Sequence, residues 1–197
     1  EMRRTLPPDL LGQVGALDSA AIEEVQRECW PVVRDADEMH DALLTLVWVP
    51  EPIPTDWAMH LPVLIESGRA VSLTFHTSRL TSHQVRGWVA TEHRESVQQL
   101  FVNGEDSTCD AVVLGWMESI GPTTTSELAD RLSLPVERIE AAMVRLEAQG
   151  QVLRGHFRSN SVLSTQSASP TQRGESSALN TSSEWCHRRL LARIHRM

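Results

Sequence analysis

An α+β fold, mainly helical with small β-hairpins, follows from three features of this 197-residue sequence. Apolar residues recur at helical spacing through most of it. Pro and Gly divide those runs into short segments. One order of segments, helix, turn, helix and strand, occurs twice. With 41% hydrophobic and 22% charged residues, the chain can bury one sizeable core or two small ones.

A capping Asp18 or Ser19 precedes a helical run through Val25 that Pro31 must stop, so residues 1–34 read as a lead-in helix and linker. Residues 35–49 place Met39, Ala42, Leu43, Leu46 and Val47 at helical spacing, and Pro50, Pro52 and Pro54 end that run. Residues 56–67 form the next helix, opened by Thr55 or Asp56 and closed at Gly68, with Pro62 kinking it or delaying its start. Two β-like runs, 70–75 and 85–90, flank the polar stretch 76–84 and read as a hairpin with a long tip. Residues 35–107 are thus a first unit with its connector.

The order then recurs. Residues 110–120 carry Val113, Leu114, Met117 and Ile120 in phase and stop at Gly121 and Pro122. Residues 125–132 are a short second helix. Residues 136–149 are a third, with Ile139, Met143 and Leu146 on one side and Gly150 as its stop, and 151–157 are a strand. This is the element order of a winged helix-turn-helix unit, so the sequence predicts two such units in tandem, the second over residues 108–197. Within it, the nine serines of 158–183 mark a stretch too polar to offset its ordering entropy, expected to be a mobile wing tip. A C-terminal Arg-rich helix is expected over 184–197.

Composition narrows the chemistry. All 18 basic residues are Arg, with no Lys and no Tyr, a depletion that GC-rich coding also produces. Without Lys there is no P-loop of the GxxxxGK type, no kinase-type ATP lysine and no Schiff base. The net charge of −8 is unevenly spread: residues 1–150 hold 11 Arg and 24 acids (−13), whereas 151–197 hold 7 Arg and 2 acids (+5). A polyanion is therefore expected to meet the second part. Cys29, Cys109 and Cys186 form no CxxC pair, which supports neither a disulfide framework nor a zinc site and fits a reducing cytoplasm. The longest apolar run, 43–49, is far short of the ~20 residues a membrane span needs. No signal peptide opens the chain, and its start at Glu1 suggests a piece of something larger.

Two arginine surfaces emerge. On the strand after the third helix, alternation puts Arg154, His156 and Arg158 on one face and Leu153 and Phe157 on the other. In the last segment, Leu190, Leu191, Ile194 and Met197 share a helical face opposite Arg189, Arg193 and Arg196, with Arg188 beside them. Arg makes bidentate contacts with oxyanions, so both surfaces suit phosphate. A solvated hairpin face and a helix whose cations answer its own dipole or the acidic first part are the alternatives. The third helix itself is a poor match for phosphate: Glu137, Arg138, Glu140, Arg145 and Glu147 sum to −1, and no Asn or Gln near its start could read adenine. No catalytic residue and no metal ligand set is assigned.

Residues 36–46, 128–155 and 184–196, in this order, resemble the large helicase-related (Lhr) family of bacterial DNA helicases. The closing run Glu184-Trp185-Cys186-His187-Arg188-Arg189-Leu190-Leu191-Ala192-Arg193-Ile194-His195-Arg196 is the specific part. The resemblance is to the region that follows the helicase core. It implies an ATP-dependent helicase that translocates on single-stranded DNA and is linked to DNA repair. ATP and magnesium would belong to a motor upstream of anything present here. That region is also similar to tandem winged-helix and β-barrel DNA glycosylases of the AlkZ type, whose barrel and catalytic residues would follow Met197. Two departures stand out: His187 takes a place usually held by Asp, removing an acidic partner for its Arg neighbours, and the stretch 158–183 is longer than the usual connection.

The expected function is therefore that of a non-catalytic accessory segment, binding single-stranded or forked DNA without sequence preference and working beside the helicase core of the same chain. An oligomerisation or motor-docking module is the second reading. A stand-alone winged-helix regulator is the third, disfavoured by the acidic third helix.

Overall fold

The computed structural model describes residues 17–76, 84–158 and 183–197. The fold is α+β, with two three-stranded antiparallel sheets among helices.

Helix α1 (Ser19–Cys29) starts where the Asp18 carboxylate accepts the Ala20 amide at 3.1 Å, and stops in extended backbone at Trp30, just before Pro31. Helix α2 (Ala36–Leu46) is capped by Asp35, which accepts the Glu38 amide at 2.8 Å. It ends three residues before the expected boundary, because Val47 takes positive φ (64°) and turns the chain out of the helix. That turn sends Trp48 into the core and frees Val49–Pro50 to be strand β1.

The single helix expected over 56–67 is two short ones, α3 (Thr55–Ala58) and α4 (Leu61–Glu66). Pro62 lies in the first turn of α4, where its missing N–H costs nothing, whereas inside one continuous helix it would remove a backbone hydrogen bond. Strands β2 (Ala70–His76) and β3 (Gln84–Ala90) form the expected hairpin, in register from Ala70 opposite Ala90 to His76 opposite Gln84, with β1 on the other side of β3. The tip of the hairpin lies outside the described residues.

Helix α5 (Arg94–Asn103), not foreseen in the sequence, closes at Gly104 with φ 73°. Helix α6 (Asp106–Met117) begins four residues before its expected start, where Glu105 accepts the hydroxyls of Ser107 and Thr108. Strand β4 (Thr123–Thr124) leads into α7 (Thr125–Leu132) through a reciprocal cap: Thr124 Oγ1 accepts the Glu127 amide at 3.2 Å and Glu127 Oε2 accepts the Thr124 amide at 2.8 Å. Helix α8 (Val136–Ala148) follows Pro135, and β5 (Val152–Gly155) follows Gly150.

The closing segment departs from expectation. Residues 184–187 are not helical but form strand β6 (Glu184–His187), and only Arg188–Ile194 form a helix, α9. All four residues of β6 are buried, because β6 is the middle strand of its sheet, paired with β4 on one side and β5 on the other. The Ser-rich stretch before it lies outside the described residues, apart from Arg158 and Ser183.

One order thus repeats: α2, β1, α3, α4, β2, β3 and then α6, β4, α7, α8, β5, β6. Each sheet places its strands first, third, second. A continuous apolar cluster runs through both halves, from Val33 to Trp185. Trp48 is its centre: its indole Nε1 donates to the Leu132 carbonyl at 3.1 Å, and its own carbonyl accepts from Trp116 Nε1 at 3.0 Å. Phe75 and Phe101 stack at 4.0 Å and each meets the Trp48 ring edge-on. At Gly115, a Cβ would run into the Thr45 carbonyl oxygen, so glycine lets α6 lie against α2. A smaller cluster joins Ile22 and Val25 of α1 to Phe157, Cys186, Leu190 and Ile194, so the lead-in helix packs on α9 and β6.

Candidate nucleic-acid interface

The arginines expected to form two phosphate-binding surfaces have three different fates. Arg158 is half-buried and occupied by carboxylates. Its guanidinium donates to Glu127 at 2.8 and 3.1 Å and to Glu184, while the Phe157 and Arg158 amides donate to Glu184 Oε2 at 2.6 and 2.8 Å. The expected alternation of Arg154, His156 and Arg158 on one strand face does not occur. Strand β5 ends at Gly155, where the Phe157 ring lies against the chain, and the following amides turn to Glu184. Arg193 likewise turns from the expected outer face to Glu28 and Cys29 Sγ on α1.

Arg154 is intermediate. Its guanidinium lies 4.3 Å from the Trp185 ring centroid and 3.7 Å from Glu147, with the side chain 45% exposed. His156 is exposed. Arg188 donates to the Gly150 carbonyl at 3.3 Å and Arg196 to Ala192 at 3.2 Å, whereas Arg189 has no hydrogen-bond or ion-pair partner among the described residues. On the apolar side of α9, Leu190 and Ile194 are buried and Leu191 half-buried; Met197 lies past the helix end and is 64% exposed.

The Arg158 cluster has an electrostatic signature. Hydrogen bonding from Arg158, with help from the Thr124 amide, holds the Glu127 carboxyl at about 2, against an ordinary value of 4.5. A carboxyl depressed on folding contributes stability above its unfolded pKa, and that contribution is lost as pH falls from 4.5 toward 2. Glu127→Gln keeps the cap to Thr124 but removes the charge. Its melting temperature should fall less steeply than that of the parent between those pH values, as followed by circular dichroism.

The cysteine thiols at 109 and 186 are pushed up by burial, to about 11 and about 12, so both stay protonated near neutral pH. His187 is buried, with neither ring nitrogen hydrogen-bonded among the described residues and Glu118 3.7 Å away. Burial lowers its pKa. Among the described residues, no three His, Cys, Asp or Glu side chains group as a metal site, and no helix is long and apolar enough to cross a membrane.

A trench that sequence reasoning did not foresee runs along α7. Three adjoining cavities of about 760, 550 and 720 Å³ share Asp130. The first touches Arg86 and Pro135, the second Trp30, Pro52 and Ile53, and the third Arg27, Thr123 and Arg158. Its Arg27, Arg86, Arg131 and Arg158 are offset by Glu51, Glu127 and Asp130, giving a wall of mixed charge. These residues lie from 27 to 158 in sequence, with no local motif to announce them.

The two helices that precede the hairpins present no cationic face. On α8 the exposed positions are Val136, Glu137, Glu140, Ala141, Val144 and Ala148, while Arg138 donates to the Leu100 carbonyl and Arg145 pairs with Asp110. On α4, Pro62, Val63, Ile65 and Glu66 are exposed, beside the exposed Met59. No family model, no curated protein and no solved structure matches this chain.

Proposed function

We propose that this chain is a non-catalytic accessory segment of a larger DNA-processing protein, similar to the part of Lhr-type repair helicases that follows the motor. In this reading it comprises two winged-helix units and meets the backbone of single-stranded or forked DNA without reading sequence. The repeated element order and the common strand order of the two sheets support the winged-helix reading. ATP and magnesium would serve the motor, not the residues of this segment.

One observation carries the DNA contact. Among the described arginines, Arg94, Arg131, Arg138, Arg188, Arg189 and Arg196 have no carboxylate within ion-pair distance, and three of these six lie on α9 or just past it. A guanidinium already matched by a carboxylate gains little from phosphate, so Arg158 and Arg193 contribute less than the sequence suggests. The contact is therefore an edge made by Arg188, Arg189 and Arg196, with Arg154 and His156 beside the sheet, rather than a helix lying in a groove. Replacing Arg188, Arg189 and Arg196 together by Ala should flatten the plot of log affinity against log salt by about 2 for single-stranded DNA, since each lost phosphate contact is worth roughly 0.7. An unchanged slope removes this assignment.

The second reading, a docking or oligomerisation module, is favoured by the faces of α4 and α8. In both halves, the helix that would enter a DNA groove exposes aliphatic side chains and carboxylates instead.

A further inference from the structure

The outer face of α8 has a defined chemical pattern. At about 100° per residue, Glu147, Glu140, Val144, Glu137, Ala148 and Ala141 follow one another across a single arc of the helix. Val144 is 46% exposed at the centre, and Val136 is 43% exposed at the helix start. Glu137 and Glu140 form no salt bridge among the described residues, and Glu147 has only the 3.7 Å approach of Arg154. Exposed aliphatic positions interspersed with carboxylates are matched by aliphatic surface beside cations. The chain itself carries such a surface at its other end: Arg188, Arg189 and Arg196 without carboxylate partners among the described residues, next to the exposed Met197 and the half-buried Leu191.

We propose that the acidic face of α8 in one chain docks against the basic surface of α9 in a second copy. The charge division of the sequence, −13 before Gln151 and +5 from there on, lets a second copy match both surfaces, where a partner of one charge sign matches only one of them. Helix α8, with 13 residues, is about 20 Å long and α9 about half that, so the contact is small, and its affinity is weak and salt-dependent. This contact does not rest on the DNA reading, although both use α9, and DNA and a second copy would compete for it.

Charge reversal in the intact chain tests the contact by sedimentation velocity over a range of concentrations. The parent should shift above the mass of one chain at about 50 mM salt and return to one chain at about 500 mM. Glu137→Arg with Glu140→Arg, and separately Arg189→Glu with Arg196→Glu, should each leave single chains, and an equimolar mixture of the two variants should associate again. That recovery also shows both variants to be folded. A parent that stays single at all concentrations, association that survives in both variants, or a mixture that stays apart would each overturn the proposal. DNA binding separates it from the earlier reading: the α8 variant, with four more positive charges, should bind DNA no more weakly than the parent while losing self-association, and the α9 variant should lose both.

Discussion

Trp48→Ala should lower the free energy of unfolding by about 4 kcal/mol, at the upper end of large-to-small core substitutions. The indole is fully buried, and its removal leaves a cavity against Phe75 and Phe101. It also strands the Leu132 carbonyl without its donor, at a cost of about 1 kcal/mol or more for a buried acceptor. Because Trp48 reaches from the β1 end of the first half to the end of α7 in the second, the loss should appear as one cooperative transition at lower urea. Far-ultraviolet circular dichroism is the appropriate probe, since the substitution removes one of six tryptophans. A loss under about 1 kcal/mol would show that Trp48 does not tie the halves together, whereas two separated transitions would show that no other contact couples them as strongly.

Gly115→Ala should be the second most damaging change, and its sign is the informative part. In an ordinary helix interior, alanine is favoured over glycine by about 1 kcal/mol. Here the added methyl would meet the backbone carbonyl of Thr45, which cannot swing aside as a side chain would. Helix α6 must then shift away from α2, and overpacking of this kind costs about 1–3 kcal/mol. A net destabilisation of about 2 kcal/mol is expected in urea unfolding. Stabilisation would mean that the two helices are not pressed together at this point.

The parts of the fold that could be read from the sequence are those set by local chemistry. The hairpin of β2 and β3 is written in the aromatic and β-branched residues of 70–76 and 84–90, and α7 in Thr124 and its Glu three positions on. The closing segment misleads because the amphipathic spacing of 188–197 can be extended back through Trp185 and Cys186. What makes those residues a strand is the pair of partners waiting at 123–124 and 152–155, which no local pattern reveals. The arginine surfaces were half legible for the same reason. Charge counting finds Arg158 and Arg193, but the carboxylates that occupy them, Glu127, Glu184 and Glu28, lie 31, 26 and 165 residues away. The acidic character of α8 was visible at once. That its exposed strip is also aliphatic required knowing which residues the core takes.

Strand β6 has a consequence for the order in which the chain is made. It is the middle of its sheet and the last strand in sequence, so β4 and β5 leave the ribosome with nothing to join them. The seat for α1 is equally late, because Leu190 and Ile194 complete the small cluster around Ile22 and Val25. During synthesis the second half therefore waits with an open sheet and an uncovered helix until residues 184–197 arrive. Those residues act as the closing stone of an arch, and a stop codon just before Glu184 would remove the middle strand of that sheet and the seat of α1.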